Sequence, residues 1–166
     1  MPALLMIIVC MFLTSCGTFV QFSKKTDTKT SSITELRLNE INSYAAEDLE
    51  GRFPDKTNVQ WYKTSDGYRA RLAQGQSHTD RYYNQYGAFT KEITFYNKEN
   101  IPESVKKIIT GKFPSYSIAA VAAISDPKVS LYQATIQNND TQKAIIVTEN
   151  EIDVLYEIKK GVIAYR

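Results

Sequence analysis

Ile41, Ala45, Leu49 and Phe53 recur every four residues, and Val105, Ile108, Ile109 and Phe113 restate the pattern in the second half of the chain. That spacing gathers apolar side chains on one helical face and predicts two amphipathic helices. Ile101-Pro102-Glu103-Ser104 suits a helix start, since proline is pre-set for the first helical position. Both helices are expected to end at Phe53-Pro54 and Phe113-Pro114, because a residue before proline avoids helical angles. After each Phe-Pro the period drops to two. Val59 and Trp61 alternate with Gln60 and Tyr62, and Ala119, Val121 and Ala123 form the corresponding inward set in the second half. Ser65-Asp66-Gly67 reads as a hairpin turn. Tyr68, Ala70 and Leu72 then match Tyr132, Ala134 and Ile136, with a longer turn around Asp126-Pro127 absorbing the change of offset. Further on, Tyr83 and Gly87-Ala88-Phe89 align with Ile146 and Asn150-Glu151-Ile152. Gly87 and Asn150 are both residues that accept left-handed backbone angles.

Gly51-Arg52-Phe53-Pro54 against Gly111-Lys112-Phe113-Pro114, with agreeing flanks, points to an internal repeat. The two units are read as residues 33–97 and 98–166, each one helix followed by about four antiparallel strands. A unit of ~60 residues buries only about 60% of its unfolded surface and is marginal alone. The expected fold is therefore a single α+β body, with both helices packed on one face of a shared antiparallel sheet over common hydrophobic filling. The other face is left to solvent or to a partner.

Ahead of the repeat, residues 1–15 contain no Lys, Arg, Asp or Glu. The apolar run over residues 3–13 would reach roughly 16 Å as a helix, about half of a ~30 Å hydrocarbon core. Residues 1–15 therefore read as a signal peptide rather than a membrane span. Leu13-Thr14-Ser15-Cys16 resembles the bacterial lipobox, in which the Cys becomes the lipidated first residue of the mature chain, so Cys16 is the expected lipidation site. With Cys10 removed and Cys16 acylated, neither of the chain's two cysteines could serve as nucleophile, metal ligand or disulfide partner. Residues 16–32, rich in Ser, Thr and Lys, read as a solvated tether.

Composition mainly removes possibilities. Twenty Lys+Arg against 18 Asp+Glu give a net charge of +2, too little for a nucleic-acid binder. With 43% hydrophobic and 23% charged residues, the chain is ordinary globular material. A lone histidine, His78, rules out a two-imidazole metal centre. It sits in the polar stretch of residues 74–80 and reads as an exposed hairpin residue. The adjacent Ser77 would face the other way, so the two make no nucleophile–base pair. Glu47, Asp48 and Glu50 fall on the solvent side of the first helix, and Glu149, Glu151 and Asp153 on a turn and a strand start. Asn138-Asn139-Asp140 lacks the alternating ligands of a calcium loop. Seven glycines scattered singly make no phosphate loop. No catalytic residue, metal or cofactor is assigned. An envelope hydrolase with a Ser-Lys or carboxylate site, or a small-ligand sensor holding apolar material between helices and sheet, are the alternative readings.

The eleven tyrosines carry more information. Alternation turns Val59, Trp61, Tyr68, Ala70, Leu72 and Tyr83 toward the helices. It turns Tyr62, Arg69, Arg71 and Tyr82, and in the second unit Ile145, onto the opposite face. Tyr and Arg are the side chains that anchor protein interfaces, so these five form the candidate binding surface.

Phe53-Pro54, Val59-x-Trp61, Tyr68 with Ala70 and Leu72, Gly87, Ile101-Pro102, Phe113-Pro114 and Tyr132, following a lipobox, resemble the PepSY-like, β-lactamase-inhibitor-like lipoproteins of Gram-negative, Bacteroides-type bacteria. The resemblance covers roughly residues 40–160. Val121 stands where the first unit has Trp61, and Asn150 where it has the turn glycine. The likeness implies a tandem α+β repeat with a curved sheet similar to the β-lactamase inhibitor protein. It implies a non-enzymatic role in binding or inhibiting an unnamed envelope protein, with membrane attachment through the lipid anchor and no nucleic acid. Gly17 after the lipidated Cys, rather than Asp, favours the outer membrane facing the periplasm.

Overall fold

The computed structural model describes residues 34–55, 58–149 and 151–160. The expected signal peptide, the lipidation site Cys16, the tether and the Asn150 substitution lie outside the described residues.

Among the described residues, the elements run β1 (Thr34–Glu35), a 3-10 turn (Leu38–Glu40), α1 (Ser43–Arg52), β2 (Val59–Thr64), β3 (Gly67–Gln74), β4 (Ser77–Asn84) and β5 (Phe89–Tyr96). A second 3-10 turn (Lys98–Asn100) leads into α2 (Glu103–Lys112), β6 (Ser117–Ser125), β7 (Ser130–Gln137), β8 (Thr141–Val147) and β9 (Ile152–Lys159). These nine strands form one sheet in chain order. Every neighbouring pair is antiparallel.

The helix boundaries follow from local chemistry. Asn42 caps α1 by accepting a hydrogen bond from the Tyr44 amide at 3.0 Å, the usual role of a short polar side chain at that position. Pro102 occupies the corresponding cap of α2, one residue earlier than the first-turn position expected of it. Both helices stop at the phenylalanine before a proline, where helical angles are disfavoured. Phe53 leaves the helix at φ −134° and Phe113 at φ −129°. Each still donates its amide to the carbonyl four residues back.

Cross-strand partners in an antiparallel sheet share a face, so the register traces one surface across the molecule. On one side stand Trp61, Ala70 and Arg81, then Glu92 and Ser125. Ala45 and Leu49 of α1 join Trp61, Ala70, Leu72 and Tyr83 in one buried cluster, with Trp61 and Tyr83 stacked at 5.7 Å. Val105 and Ile109 of α2 join Val121, Ala134, Ile136, Ile145 and Val147 in another. The common filling expected from the sequence is therefore replaced by two separate apolar clusters on one sheet. The reason is a polar strip along β4 and β5. Ser77, Thr79 and Arg81 point to the helix side and are buried, and the hydroxyls of Thr79 and Thr94 are hydrogen-bonded at 3.0 Å.

A second departure lies in β6. Its pairing with β7 skips a residue between Ile118 and Ala120, a bulge that leaves Ala119 unpaired. Ile118, not Ala119, therefore packs with Val121 against the second cluster.

Candidate functional site

On the face opposite the buried clusters, the register sets Tyr62 against Arg69, Arg69 against Tyr82, and Arg71 against Asp80. Four of the five residues singled out by alternation thus stand together on adjacent strands. The Arg69 guanidinium lies over the Tyr62 ring at 4.5 Å, and the Lys91 ammonium over the Tyr82 ring at 4.6 Å. Each cation rests on a π face, a contact that gains strength as water is removed. Tyr62 donates its hydroxyl to Gln60 at 3.1 Å.

At the centre of this arrangement is Asp80, 2% exposed. Arg71 grips it in a two-pronged pair, Nε to Oδ1 at 2.7 Å and Nη2 to Oδ2 at 2.8 Å, the strong fork geometry of Arg with carboxylate. This pairing raises the Arg71 pKa against the opposing effect of burial. Arg69 is left at 3.9 Å from the same carboxylate, and its buried Nε has no hydrogen-bond partner. Burial, with the Asp80 charge adding to it, pushes the Tyr82 phenol up, while Arg69 and Arg71 pull it down.

His78 also belongs to this face, half-buried at the start of β4 and stacked on Phe95 at 4.5 Å. It is thus a strand residue held by an aromatic neighbour, not the exposed hairpin residue expected. Burial lowers its pKa below the ordinary histidine value; Asp80 raises it, and Arg71 and Arg69 lower it further.

Ile145 is on the other side of the sheet. It is fully buried in the α2 cluster, paired with Ala134 and Val154, and the outward residue is its neighbour Ile146, opposite Gln133. The cause is a slip of one residue. Tyr68 pairs with Tyr83 and Tyr132 with Val147, so Tyr83 corresponds to Val147 and not to Ile146. The spacing shortens only afterwards, because Tyr83 meets Phe89 across its turn whereas Val147 meets Ile152 across a turn one residue shorter. In a strand, one residue reverses the face.

The helix side holds a feature that alternation did not single out. Arg81, its side chain 9% exposed, reaches Asp48 of α1 at 2.9 Å and Glu92 of β5 at 2.7 Å. Tyr83 donates its hydroxyl to the same Asp48 oxygen at 2.9 Å, and the guanidinium lies 3.9 Å from the Phe89 ring centre. Asp48, still exposed on α1 as expected, is thus also a tether between helix and sheet. Burial works to lower the Arg81 pKa, and the hydrogen bonds to Glu92 and Asp48 outweigh it, so the net shift is upward. Burial, with the bond to Asp48, also raises the Tyr83 phenol. The signal was present as a charged residue at an inward position between Thr79 and Tyr83.

Elsewhere, a groove of about 500 Å³ runs beside α2, lined by Ile108, Lys112, Glu149, Glu151, Ile152 and Asp153. It opens at the rim of the second half and not between helices and sheet, where a small-ligand sensor would hold its ligand. Lys112 spans it by donating to the Ile152 carbonyl at 2.7 Å.

No family model matches the chain, and no curated protein sequence resembles it. Solved structures do. A BLIP-like protein from Bacteroides fragilis superposes with a TM-score of 0.57 at 14% identity, covering 76% of this chain and 92% of its own. A DUF2874 family protein from Bacteroides ovatus gives 0.55 at 14%, covering 72% and 87%. Another from Bacteroides uniformis gives 0.54 at 14%, covering 70% and 88%. At such identities the likeness concerns the fold: the chain shares the α+β architecture of the BLIP-like and DUF2874 structures, and its described residues form a nine-stranded antiparallel sheet with two α-helices.

Proposed function

We propose that this is a non-enzymatic, lipid-anchored envelope protein that binds another protein through the sheet face carrying Tyr62, Arg69, Arg71 and Tyr82. One observation carries the reading: two tyrosine–cation pairs are set side by side around a buried, doubly approached carboxylate. Such side chains are already fixed before any partner arrives, so little conformational entropy remains to be lost on docking. Large, rigid, amphipathic rings beside Arg are the composition of interface hot spots. The BLIP-like name of one structural neighbour, which refers to an inhibitor protein, fits this class of role.

The proposal includes a duplicated PepSY-like module. Two ten-residue helices with matching Phe-Pro ends, each followed by four strands in the same order, support it. It also includes attachment at Cys16 to the outer membrane, facing the periplasm, for which the lipobox-like Leu13-Thr14-Ser15-Cys16 is the support. Cys16→Ser is expected to move the protein from the sedimenting membrane fraction to the soluble periplasmic fraction. Retention in membranes would remove the anchor from the proposal.

Site-specific photo-crosslinking tests the binding face. A benzophenone side chain at position 82 should give a discrete adduct with a second protein in intact cells, and the same group at Tyr44, 70% exposed on α1, should not. Once the partner is identified from that adduct, the Tyr62→Ala, Tyr82→Ala double variant should weaken the complex by about thirtyfold or more, the weight of one hot-spot aromatic. Adducts from position 44 alone would move the interface to the helix side.

A further inference from the structure

We infer that residues 17–22, the uncharged start of the segment ahead of the fold, lie across the outward face of β5 to β8 and cover it. Among the described residues, three buried apolar side chains, Ile93, Ala122 and Ala144, belong to neither apolar cluster. All three point away from the helices. Ile93 stands opposite Asp80, Ala122 opposite Phe95 in the row of His78, and Ala144 opposite Thr135. Their neighbours do not roof them. Thr135, 9% exposed, has Ala120 on one side of its row and Ala144, 1% exposed, on the other. Strand side chains stand roughly perpendicular to the sheet, and a methyl group on either side is too short to close over a threonine. No described element supplies the roof. The two α-helices pack on the other face, and Leu36, Ile41 and Ile101, beside the 3-10 turns, join the same clusters there.

The chain ahead of Thr34 has the length and the chemistry for this. It enters the sheet at β1, and β8 lies seven strand spacings away, about 34 Å. Phe22 is twelve residues ahead of Thr34, a reach of up to about 40 Å. Gly17-Thr18-Phe19-Val20-Gln21-Phe22 carries no charge, and neither do Ile93, Ala122, Gln133, Thr135 and Ala144 beneath it. Lys24, Lys25, Asp27 and Lys29 follow and are costly to bury, so the cover ends near Phe22 and the rest returns to β1 through water. The other end of the chain fits less well. Residues 161–166 span about 20 Å at full extension, which brings only the charged Arg166 over β5, four spacings from β9. The row of Tyr62, Arg69 and Tyr82 lies beside the covered zone, half-buried, and stays available to a partner. With Cys16 as the anchor, seating Phe22 leaves six residues of free tether, which holds the folded body within about 20 Å of the membrane.

The test is the reactivity of one thiol set into the covered zone. The processed chain, residues 16–166 with Cys16→Ser, has no other cysteine and receives Thr135→Cys, a change of similar volume. N-ethylmaleimide is expected to label it about tenfold or more slowly than it labels Lys128→Cys, at an exposed turn, because the cover must open first. Changing Phe19, Val20 and Phe22 together to Ser should remove that protection while the circular dichroism spectrum stays the same. Ala144→Cys carries the same readout should Thr135→Cys fail to fold. Labelling of the parent at the rate of Lys128→Cys would mean an open face and overturn the inference. Protection that survives the triple serine change would overturn it too. So would protection that needs residues 1–15 restored in a precursor with Cys10→Ser, or that disappears on Val162→Ser, Ile163→Ser, Tyr165→Ser instead. Protection that fades on dilution would make a second copy the cover and overturn it as well. Tyr62 and Tyr82 are untouched throughout, so the crosslinking result at position 82 is read separately.

Discussion

Gly67→Ala is expected to lower the thermal midpoint by about 10–20 °C or to prevent folding altogether. Gly67 opens β3 at φ +153°, an angle that a Cβ disfavours. A Cβ built there would sit 2.2 Å from the Tyr83 carbonyl oxygen and 2.7 Å from the Asn84 Cα, both backbone atoms of β4. Side chains can rotate away from a clash; a paired strand cannot move without opening the ladder. Tyr68 and Tyr83 face each other at this point. Relieving the overlap means separating β3 from β4 there, at a cost of about 3–5 kcal/mol. For a domain of this size that corresponds to the stated shift. Gly87→Ala should follow the same logic more mildly. Its φ is +82°, and its Cβ would meet the Asn42 side-chain oxygen at 2.2 Å, displacing the cap of α1. Gly111→Ala is the control. It is helical and exposed with nothing within 4 Å, and the change should stabilise the protein by up to about 1 kcal/mol. Melting curves of the three variants decide the matter. Equal midpoints for Gly67→Ala and Gly111→Ala would show that β3 and β4 are not in such close contact.

How far the sequence could be read depended on whether local geometry or long-range pairing decided the outcome. Helix periods, Phe-Pro ends and the Asp-Gly turn are local, and each places its element within a residue or so. The outward placement of Tyr62, Arg69, Arg71 and Tyr82 was legible for the same reason, since all four lie within two hairpins whose turns are short. Ile145 failed because alternation carries an error of one residue across every later position. The shorter turn between Val147 and Ile152 could not be located without the pairing. The bulge at Ala119 escaped in the same way. The polar strip of β4 and β5 was illegible for a different reason: nothing in the pattern Ser77-x-Thr79-x-Arg81 distinguishes a satisfied buried network from a solvated edge. That distinction belongs to tertiary partners such as Asp48, supplied by a helix 33 residues away.

That network yields the second large effect. Arg81→Ile is expected to destabilise the protein by about 3–5 kcal/mol, because it leaves Glu92, Asp48 and the Tyr83 hydroxyl facing one another without their shared cation. The replacement is hydrophobic and of moderate size, so the loss measures stranded charge more than a cavity. In the second half of the sheet the place matching the Arg81–Glu92 pair is held by Ile145 against Val154, which shows that the fold accepts an apolar pair there. Replacing both members of a buried ion pair by apolar residues is commonly far less costly than removing one. The double variant Arg81→Ile, Glu92→Val should therefore recover part of what the single change loses, ending within about 2 kcal/mol of the parent. Asp48, 40% exposed at its side chain, can return to water and need not be replaced. Chemical denaturation of the parent, both single variants and the double variant forms a cycle, and a coupling of about 1–3 kcal/mol is the expected outcome. Additive effects would mean that Arg81 and Glu92 do not stabilise the fold as a pair. A coupled result would instead show that Arg81 and Glu92 act as one buried unit in the polar strip of β4 and β5 that separates the two apolar clusters.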